Sequence, residues 1–272
     1  MSTSPTSTPA ARPTALITGA SSGIGAALAH RFARAGHDLV LVARSADKLQ
    51  ALAAELKARH GVNAWVEPAD LAQREAAAQL LATLKRKRHT VDVLVNCAGV
   101  LEQAAFAKMT AVQHQQIIDL NISGLTAMLA HFVPPMVQRG RGRVLNVASI
   151  AAFQPVPTLA TYAASKAYVL SLSESLAEEL KDSGVSVTAL CPGITATPML
   201  SHATDSNAEL SKIPGFLIGA VDDVAQQGFE ACMNGDAICV PGVINRAAMI
   251  ASRGTPKWLV RRIGGLFGRK TI

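Results

Sequence analysis

The sequence predicts one α/β domain built on a doubly wound, mainly parallel sheet of seven strands with helices on both faces. Short apolar runs alternate along the chain with stretches of helical periodicity, which is the pattern of repeated strand–helix units. The apolar runs consist mostly of Val, Leu and Ile, as expected when both faces of a parallel sheet are buried. The chain is 272 residues long and 49% hydrophobic, which is enough for one such domain.

Four strands and three helices are predicted in the first part of the chain. The strands are residues 14–18, 38–43, 62–67 and 91–96, and the helices are residues 24–35, 45–59 and 73–87. Gly36 and Gly61 follow the first two helices, where glycine favours the left-handed conformation that ends a helix. Leu49, Leu52 and Leu56 recur at helical spacing, so they predict the buried face of the second helix.

The second part of the chain continues the alternation. A long helix is predicted over residues 110–138, kinked or interrupted at Pro134 and Pro135 because proline lacks the N–H that a helix needs. The other elements are strands at 143–148, 185–191 and 237–240, a helix running to about residue 181, and a helix at 222–233. Residues 194–219 show little periodicity, and we expect them to form a mobile segment over a site.

The net charge of +7 is unevenly distributed along the chain. Residues 237–272 contain seven of the 26 Lys and Arg residues and no acidic residue, so the rest of the chain is close to neutral. This distribution argues against a nucleic-acid-binding core, which would carry its basic patch on the fold. We therefore expect a Ser/Thr/Pro-rich disordered leader (1–13), a single domain (14–242) and a basic amphipathic tail (243–272).

The four cysteines form no C-x-x-C pair and show no metal-ligand spacing with the histidines, so no metal site is predicted. At least two lie in apolar, strand-like runs, and we interpret them as small buried residues in a reducing compartment. The N-terminus lacks the apolar segment of a signal peptide, and no uninterrupted apolar run reaches the ~18 residues that span a bilayer. These observations predict a cytoplasmic protein.

A glycine-rich turn follows the first predicted strand and opens the first predicted helix. It reads T-G-A-S-S-G-I-G at residues 18–25, and such a turn lets the backbone approach a pyrophosphate at a helix N-terminus. The spacing is G-x-x-x-G-x-G. The strand before it and the helix after it favour a dinucleotide site in a Rossmann-type sheet over a plain tight connection.

The end of the second predicted strand bears on the choice of cofactor. An acidic residue there would bind a ribose hydroxyl, whereas an arginine suits a 2′-phosphate. This chain has Arg44 at that place, with Ser21 and Ser22 as further donors, which favours NADP(H) over NAD(H). Arg44 could also be a surface residue that begins a helix.

A serine, a tyrosine and a lysine lie within residues 149–166. Tyr162 and Lys166 are four residues apart, so a helix would place them on one face. Because a neighbouring ammonium favours the phenolate, we expect Lys166 to lower the pKa of Tyr162 from its usual ~10 and prepare it for proton transfer. Taken singly, Ser149 could cap a strand end and Lys166 could be an ordinary surface lysine.

Together these residues resemble the short-chain dehydrogenase/reductase family, in particular its NADP-preferring carbonyl, ketoacyl and hydroxysteroid reductases. The further matching motifs, in order, are Asp70, N-C-A-G (96–99), N-I-S-G with Asn121, Ser149, Y-A-A-S-K (162–166) and P-G-I-T-A-T (192–197). The resemblance covers about residues 14–240 and is far more specific as an ordered set than any one motif. The chain departs from the family pattern at Cys97, where the family often has a second asparagine.

The resemblance implies a role for each matching residue. Tyr162 would be the general acid/base, Lys166 would hold the nicotinamide ribose, and Ser149 would bind the substrate oxygen. Asn121 would complete a proton relay through a water near Lys166, although singly it could be a buried helix residue bonding the backbone. The implied cofactor-binding residues are Gly19, Ser21, Ser22, Gly23, Ile24, Gly25, Arg44, Asp70, Leu71, Asn96, Ala98, Gly99, Tyr162, Lys166, Pro192, Gly193, Thr195 and Thr197.

The substrate pocket is predicted in the segments that follow Ser149 and Pro192. These segments are apolar and contain no Lys or Arg except Lys212, so they suit a hydrophobic carbonyl compound better than a small acid. Steroid-like, fatty-acyl and retinoid substrates are equally compatible, and some of the apolar residues could be core. The predicted pocket residues are Phe153, Val156, Leu159, Met199 and Leu200.

The tail contains an apolar stripe at helical spacing with cations opposite, formed by Leu259, Val260, Ile263, Leu266 and Phe267. Three interpretations stay open: a helix on a membrane surface, a helix docked on a partner subunit, or a frayed tail. Three glycines within the stripe weaken the helix by about 1 kcal/mol each.

The sequence as a whole predicts an NADP(H)-dependent oxidoreductase that interconverts a carbonyl and an alcohol on a hydrophobic small molecule. The family resemblance further implies a homodimer or homotetramer. One alternative is a non-catalytic NADP-sensing or scaffold protein on the same fold. It would need no proton donor, so the presence of all four implied catalytic residues weighs against it. An epimerase or dehydratase is another alternative, but such relatives usually carry a larger C-terminal substrate region.

Overall fold

A computed structural model describes residues 12–200 and 218–254 of the chain. Its strands are β1 (Thr14–Thr18), β2 (Asp38–Ala43), β3 (Ala64–Pro68), β4 (Val93–Asn96), β5 (Gly142–Val147), β6 (Val185–Leu190) and β7 (Ile238–Cys239). They form one sheet in the order β3-β2-β1-β4-β5-β6-β7, and every neighbouring pair is parallel. The predicted fold class, a doubly wound Rossmann-type sheet, is therefore confirmed.

Helices cover both faces of the sheet. They are α1 (Gly23–Arg34), α2 (Ala46–His60), α3 (Ala76–Arg86), α4 (Ala111–Ile118), α5 (Leu125–Gln138), α6 (Ala160–Glu179), α7 (Val221–Asn234) and α8 (Val243–Gly254). One core cluster includes residues of α3, α5 and α6, and the other includes residues of α1, α2 and α7. Successive residues of β1 alternate between the two clusters, Leu16 in the first and Ala15 and Ile17 in the second. This double burial explains why the strands are continuously apolar.

The order of the strands reverses between β1 and β4. From β1 the chain winds through β2 and β3 toward one edge, and from β4 it winds through β5, β6 and β7 toward the other. The connections that leave the carboxyl ends of β1 and β4 therefore diverge and leave a crevice between them. Ligands of open parallel sheets bind at such a point.

The long helix predicted before β5 is interrupted at a different place from the one we expected. The predicted interruption at Pro134 and Pro135 is wrong, because α5 continues through both. The α-helical pattern instead widens into a π-helical turn at Asp119–Gly124, between α4 and α5. This turn contains Asn121, whose side chain bonds the backbone of Val100 in the connection after β4. Such turns often occur at functional sites.

Burial accounts for the persistence of α5 through its two prolines. Met128, Phe132 and Met136 are all buried against the sheet, so packing holds the segment helical although each proline lacks an N–H donor. By length and composition alone, Ala111–Gln138 could also cross a membrane. A buried core helix passes the same test, so this helix is weak evidence for a membrane span.

The predicted mobile segment at 194–219 is described only at its two ends, because residues 201–217 lie outside the described residues. Thr195 and Gly219 form a parallel bridge. The Gly219 N–H donates to the Ile194 carbonyl at 2.8 Å, and the Ala196 N–H donates to the Gly219 carbonyl at 3.1 Å. The segment therefore leaves and returns at one place, beside the carboxyl end of β6.

The first part of the predicted tail is the helix α8, which packs on the domain. Its Met249 lies against the core cluster of α3, α5 and α6. Asn245 lies on the backbone of Gly193, where a Cβ atom would come within 2.4 Å of the Asn245 Nδ2. The predicted apolar stripe and the predicted leader up to residue 11 lie outside the described residues.

Candidate active site

A cavity of about 610 Å³ opens at the carboxyl edge of the sheet, where the strand order reverses. Its walls come from the segments that follow β1 through β6. Ligand sites typically measure roughly 300–1,000 Å³. The cavity is therefore large enough for a cofactor and a substrate to meet.

Most of the residues predicted from the sequence line this cavity. Among the implied catalytic residues, Ser149, Tyr162 and Lys166 line it. Four of the five predicted substrate-pocket residues also do, namely Val156, Leu159, Met199 and Leu200. The implied cofactor-binding residues that line it are Gly19, Ser21, Ser22, Gly23, Ile24, Gly25, Arg44, Asp70, Leu71, Ala98, Gly99, Tyr162, Lys166, Pro192, Gly193, Thr195 and Thr197.

Asn96 and Phe153 lie elsewhere. The Asn96 side chain points into the fold, and its Nδ2 donates to the Asn146 Oδ1 at 2.9 Å. Asn146 in turn donates to the Ser173 Oγ at 2.9 Å, so this chain of bonds ties β4 to β5 and α6. Phe153 packs against the core cluster. Asn96 therefore supports the floor of the site, and Phe153 supports its wall from behind.

Asn121 is 1% exposed and lies behind the cavity wall. Its Oδ1 accepts from the Val100 N–H at 2.9 Å, and its Nδ2 donates to the Val100 carbonyl at 2.9 Å and to the Ser165 Oγ at 3.1 Å. A Cβ atom on Gly99 would lie 3.3 Å from the Asn121 Oδ1 and 3.5 Å from the Lys166 Nζ. Asn121 thus fixes the connection after β4 against α6, beside Lys166.

The glycine-rich turn is built by close backbone contacts. Gly19 has φ of 68°, and a Cβ atom there would lie 2.9 Å from the Ala98 backbone. A Cβ atom on Gly25 would lie 2.3 Å from the Gly19 carbonyl oxygen. The Thr18 hydroxyl accepts from the N–H groups of Cys97 and Ala98, both at 3.0 Å. The sequence analysis gave Thr18 no role, although a polar residue at the end of an apolar strand could have indicated one.

The residues around this turn fit a phosphorylated dinucleotide. Ser22 caps the N-terminus of α1 without a side-chain hydrogen bond to the helix, and the first turn contains no acidic residue. The N–H groups and the positive end of the helix dipole are therefore available to an anion. Arg44 is exposed at the carboxyl end of β2 and lines the same cavity, which adds a guanidinium suited to a phosphate.

The tyrosine and the lysine both lie on α6 and face the cavity. Tyr162 is 8% exposed and Lys166 is 6% exposed. The Lys166 Nζ lies 5.7 Å from the centre of the Tyr162 ring and donates to the Val147 carbonyl at 2.8 Å. Ser149 follows β5, and its Oγ accepts from the Ala151 N–H at 3.1 Å. The three side chains therefore meet where β5 ends and α6 passes.

The predicted lowering of the tyrosine's pKa by the lysine is wrong in this structure. Burial raises the pKa of Tyr162 to about 12, and a hydrogen bond with Ser149 offsets only part of this effect. Burial also lowers the pKa of Lys166 to about 8. Both shifts have the same cause, since a desolvated site disfavours the charged form of each group. Tyr162 is therefore protonated at neutral pH and can donate a proton.

Cys97 lines the cavity at the position where the sequence departs from the family pattern. Burial raises the pKa of its thiol to about 12, with Lys166 opposing the rise. The thiol is therefore uncharged at neutral pH. Cys97 is half-buried and packs against the core cluster of α1, α2 and α7, so it is a small packing residue but not a fully buried one.

Polar side chains that the sequence analysis did not single out also line the far part of the cavity. They are Gln103, Gln154 and Thr158, which lie among Leu101, Val156 and Leu159. Glu102, the charged residue of the two loops at 100–103 and 154–159, is exposed and does not line the cavity. Gln103 was hard to find from sequence because only the fold brings the connection after β4 to this place.

Comparison with known proteins gives consistent matches. Residues 13–208 match the family model for short chain dehydrogenases. An uncharacterized oxidoreductase of Staphylococcus saprophyticus is 33% identical over 220 residues, covering 81% of this chain and 94% of that protein. The NADPH-dependent pterin aldehyde reductase of Arabidopsis thaliana is 33% identical over 202 residues, covering 74% of this chain and 82% of that protein. Glycine betaine reductase ATRR of Emericella nidulans is 38% identical over 194 residues, 71% of this chain but only 15% of that protein.

Solved structures agree with these sequence matches. A short-chain dehydrogenase from Sphingobium yanoikuyae, in complex with NADPH, has a TM-score of 0.80 and 36% identity and covers 89% of this chain and 92% of its own. The bulky-bulky ketone specific alcohol dehydrogenase of Comamonas testosteroni has a TM-score of 0.74 and 30% identity. The match covers 90% of this chain and 95% of that chain. The chain therefore belongs to the short-chain dehydrogenase/reductase family of oxidoreductases.

Proposed function

We propose that the protein is an NADP(H)-dependent reductase that interconverts a carbonyl and an alcohol on an uncharged, hydrophobic small molecule. The observation that carries this proposal is the protonated, buried Tyr162 beside Ser149, in a cavity that also contains the uncapped N-terminus of α1. A protonated phenol suits proton donation to an oxygen that gains negative charge during reduction.

The proposed mechanism assigns separate tasks to the side chains. When bound, the nicotinamide cofactor supplies the hydride. Ser149 and Tyr162 donate hydrogen bonds to the carbonyl oxygen as negative charge grows on it, and Tyr162 then gives up its proton. Lys166 keeps a positive charge near the phenolate that this step leaves. Asn121 holds the connection after β4 in place beside Lys166.

The preference for NADP(H) rests on Arg44. It lies at the carboxyl end of β2, lines the cavity, and has no ion-pair partner among residues 12–200 and 218–254. An unpaired guanidinium at this place suits a 2′-phosphate. Two relatives support the same preference, since the Arabidopsis reductase is described as NADPH-dependent and the Sphingobium enzyme as an NADPH complex.

The proposed substrate class follows from the far part of the cavity. Val156, Leu159, Met199 and Leu200 supply an apolar lining. The Comamonas relative, described as specific for bulky-bulky ketones, lends support to a large ketone. Steroid-like, fatty-acyl and retinoid carbonyl compounds all satisfy this description.

A panel of uncharged ketones and the matching alcohols tests the proposed function. Purified full-length protein is mixed with NADPH or NADP⁺, and the absorbance of the reduced cofactor is followed with each compound. We expect kcat/KM to rise with the apolar size of the ketone, because more apolar surface is removed from water. The absence of turnover on every member, together with NADPH binding, would favour the alternative of a non-catalytic cofactor sensor.

The pH dependence of reduction follows from the lysine. Because the pKa of Lys166 is lowered to about 8, its charged form prevails below that pH and is lost above it. We therefore expect kcat/KM for ketone reduction to be level from pH 6 to 7.5 and to fall above pH 8. A Lys166→Met variant should show a lower rate without this alkaline fall. A wild-type profile that stays level to pH 10 would contradict the role given to Lys166.

Assembly and location are also proposals. A homodimer or homotetramer in the cytoplasm is expected for the full chain, and residues 255–272 are a candidate membrane or subunit contact. Co-sedimentation of vesicles with the full chain and with a chain that ends at Gly254 tests the membrane contact. Equal partitioning of the full and the shortened chain into the vesicle fraction would rule out a membrane contact by residues 255–272.

A further inference from the structure

Two loops that form the far part of the cavity are joined to each other through Thr158. One loop follows β4 and contributes Gln103, and the other leads into α6 and contributes Thr158 itself. The Ala104 N–H donates to the Thr158 carbonyl at 3.0 Å. The Gln103 Nε2 donates to the Thr158 Oγ1 at 3.4 Å. The backbone bond joins the loops, and the side-chain bond orients the carboxamide of Gln103.

Thr158 adopts a backbone conformation that its side chain disfavours. Its φ is 67°, in the left-handed region, which β-branched residues rarely occupy. Arg88 is the other non-glycine residue of the described chain with a positive φ, and it lies in the turn after α3, away from the cavity. Glycine or asparagine would fit the conformation of Thr158 with less strain. A strained residue in a cavity wall points to a function for its side chain.

The carboxamide of Gln103 has hydrogen-bonding capacity left over. Its Oε1 and its second N–H have no partner among the described residues, and its one bond is longer than the usual 2.9–3.0 Å. Gln103 is half-buried among apolar neighbours, where hydrogen bonds are stronger than in water. The group can both donate and accept, and it carries no charge.

We infer that Thr158 holds the Gln103 carboxamide so that it recognises an uncharged hydrogen-bonding group of the substrate other than the reacting carbonyl. This inference rests on the proposed function and narrows its substrate class. The substrate is an apolar ketone or alcohol that carries a second neutral polar group, such as a hydroxyl or a further carbonyl. A carboxylate or phosphate would find no cationic partner in these two loops. A site built to bond a polar group discriminates against analogues that lack it.

Matched ketones test the recognition. The probes are 4-phenyl-2-butanone and its meta- and para-hydroxyphenyl analogues, which differ only in one neutral hydroxyl. We expect the kcat/KM of wild-type protein for the better of the two hydroxylated ketones to exceed its kcat/KM for 4-phenyl-2-butanone by about fivefold or more. This ratio corresponds to the contribution of one hydrogen bond. Gln103→Leu should bring this ratio close to one. The matched control is Gln50→Leu on the exposed face of α2, which should keep the wild-type ratio.

Thr158 variants test the positioning role. Thr158→Gly relieves the strain but removes the hydroxyl, so its Tm should equal or exceed that of wild type by up to about 4 °C while the ratio falls as in Gln103→Leu. Thr158→Ser keeps the hydroxyl and should keep the ratio. The backbone bond from Ala104 is available in both variants, so a difference between them reports on the side chain.

Three results would overturn the inference. A ratio that survives in Gln103→Leu would exclude recognition by the carboxamide, and a ratio that survives in Thr158→Gly would exclude positioning by the threonine. Calorimetric dissociation constants of the three ketones, measured with NADP⁺ present, make the test independent of turnover. If binding discriminates but no ketone is reduced, the proposed function fails while the recognition stands. Equal dissociation constants for all three ketones in wild type would exclude the recognition.

Discussion

Replacing Tyr162 with phenylalanine is expected to lower kcat for ketone reduction about 1,000-fold, while the dissociation constant for NADPH stays within about threefold. A positioned general acid typically contributes about 100- to 10,000-fold. Phenylalanine keeps the ring that fills the site on α6 but removes the only phenol that lines the described cavity. The measurement is steady-state turnover of the best ketone, with cofactor affinity followed by fluorescence or calorimetry.

The chain provides a matched control for this experiment. Tyr168 is the other tyrosine in the sequence, and it lies on the same helix, 37% exposed, with its hydroxyl 2.9 Å from the Thr126 Oγ1. Tyr168→Phe loses the same hydroxyl away from the cavity and should keep wild-type kcat. A Tyr162→Phe variant that retains more than a tenth of wild-type kcat would remove Tyr162 as the acid.

Replacing Arg44 with aspartate is expected to lower the preference for NADPH over NADH about 100-fold, measured as the ratio of the two kcat/KM values. The change removes a cation suited to a phosphate and adds an anion that repels it, while a carboxylate can bind a ribose hydroxyl. Because Arg44 is exposed, the wild-type preference should also weaken as ionic strength rises. NADPH should lose affinity, whereas NADH should bind as well as before or better.

Arg34→Asp controls for the change in net charge. Arg34 is exposed at the C-terminal end of α1, 11 residues after Gly23, so it lies about 16 Å along the helix axis from Gly23. Its replacement should leave the cofactor preference unchanged. If Arg44→Asp weakens NADPH and NADH equally, Arg44 does not bind a 2′-phosphate.

The sheet and the order of its elements could be predicted from sequence because their signals are local. A strand that packs on both faces must be apolar throughout. Each apolar run of this chain is followed by a segment in which apolar residues recur at helical spacing. The glycine-rich turn was predictable for the same reason, since Gly25 leaves no room for a Cβ atom beside the carbonyl of Gly19, six residues earlier. Positions fixed by contacts within a few residues leave a pattern that one sequence can show.

Other features depend on contacts between distant parts of the chain. The prolines of α5 follow the local rule for breaking a helix, but burial against the sheet outweighs it, and the π-helical turn arises where Asn121 reaches the backbone of Val100. The direction of the pKa shift of Tyr162 depends on how deeply α6 buries its ring. Sequence spacing shows that Lys166 is near Tyr162, but not that both side chains are buried.

The substrate end of the cavity illustrates the same limit. Leu159 could be predicted because it lies near the tyrosine in sequence. Gln103 comes from a loop 59 residues before Tyr162, and its place beside Thr158 follows from the pairing of β4 with β5. The strain at Thr158 is likewise a property of the backbone, which residue type alone does not indicate.

The most direct test of the proposed function follows the hydride itself. Full-length protein is incubated with its best ketone and NADPH that carries deuterium at both C4 positions of the nicotinamide, and the product is examined by mass spectrometry and NMR. The account predicts one deuterium on the carbon that bears the new hydroxyl, and loss of this product in Tyr162→Phe. An alcohol without deuterium at that carbon, or equal product from Tyr162→Phe, would contradict it.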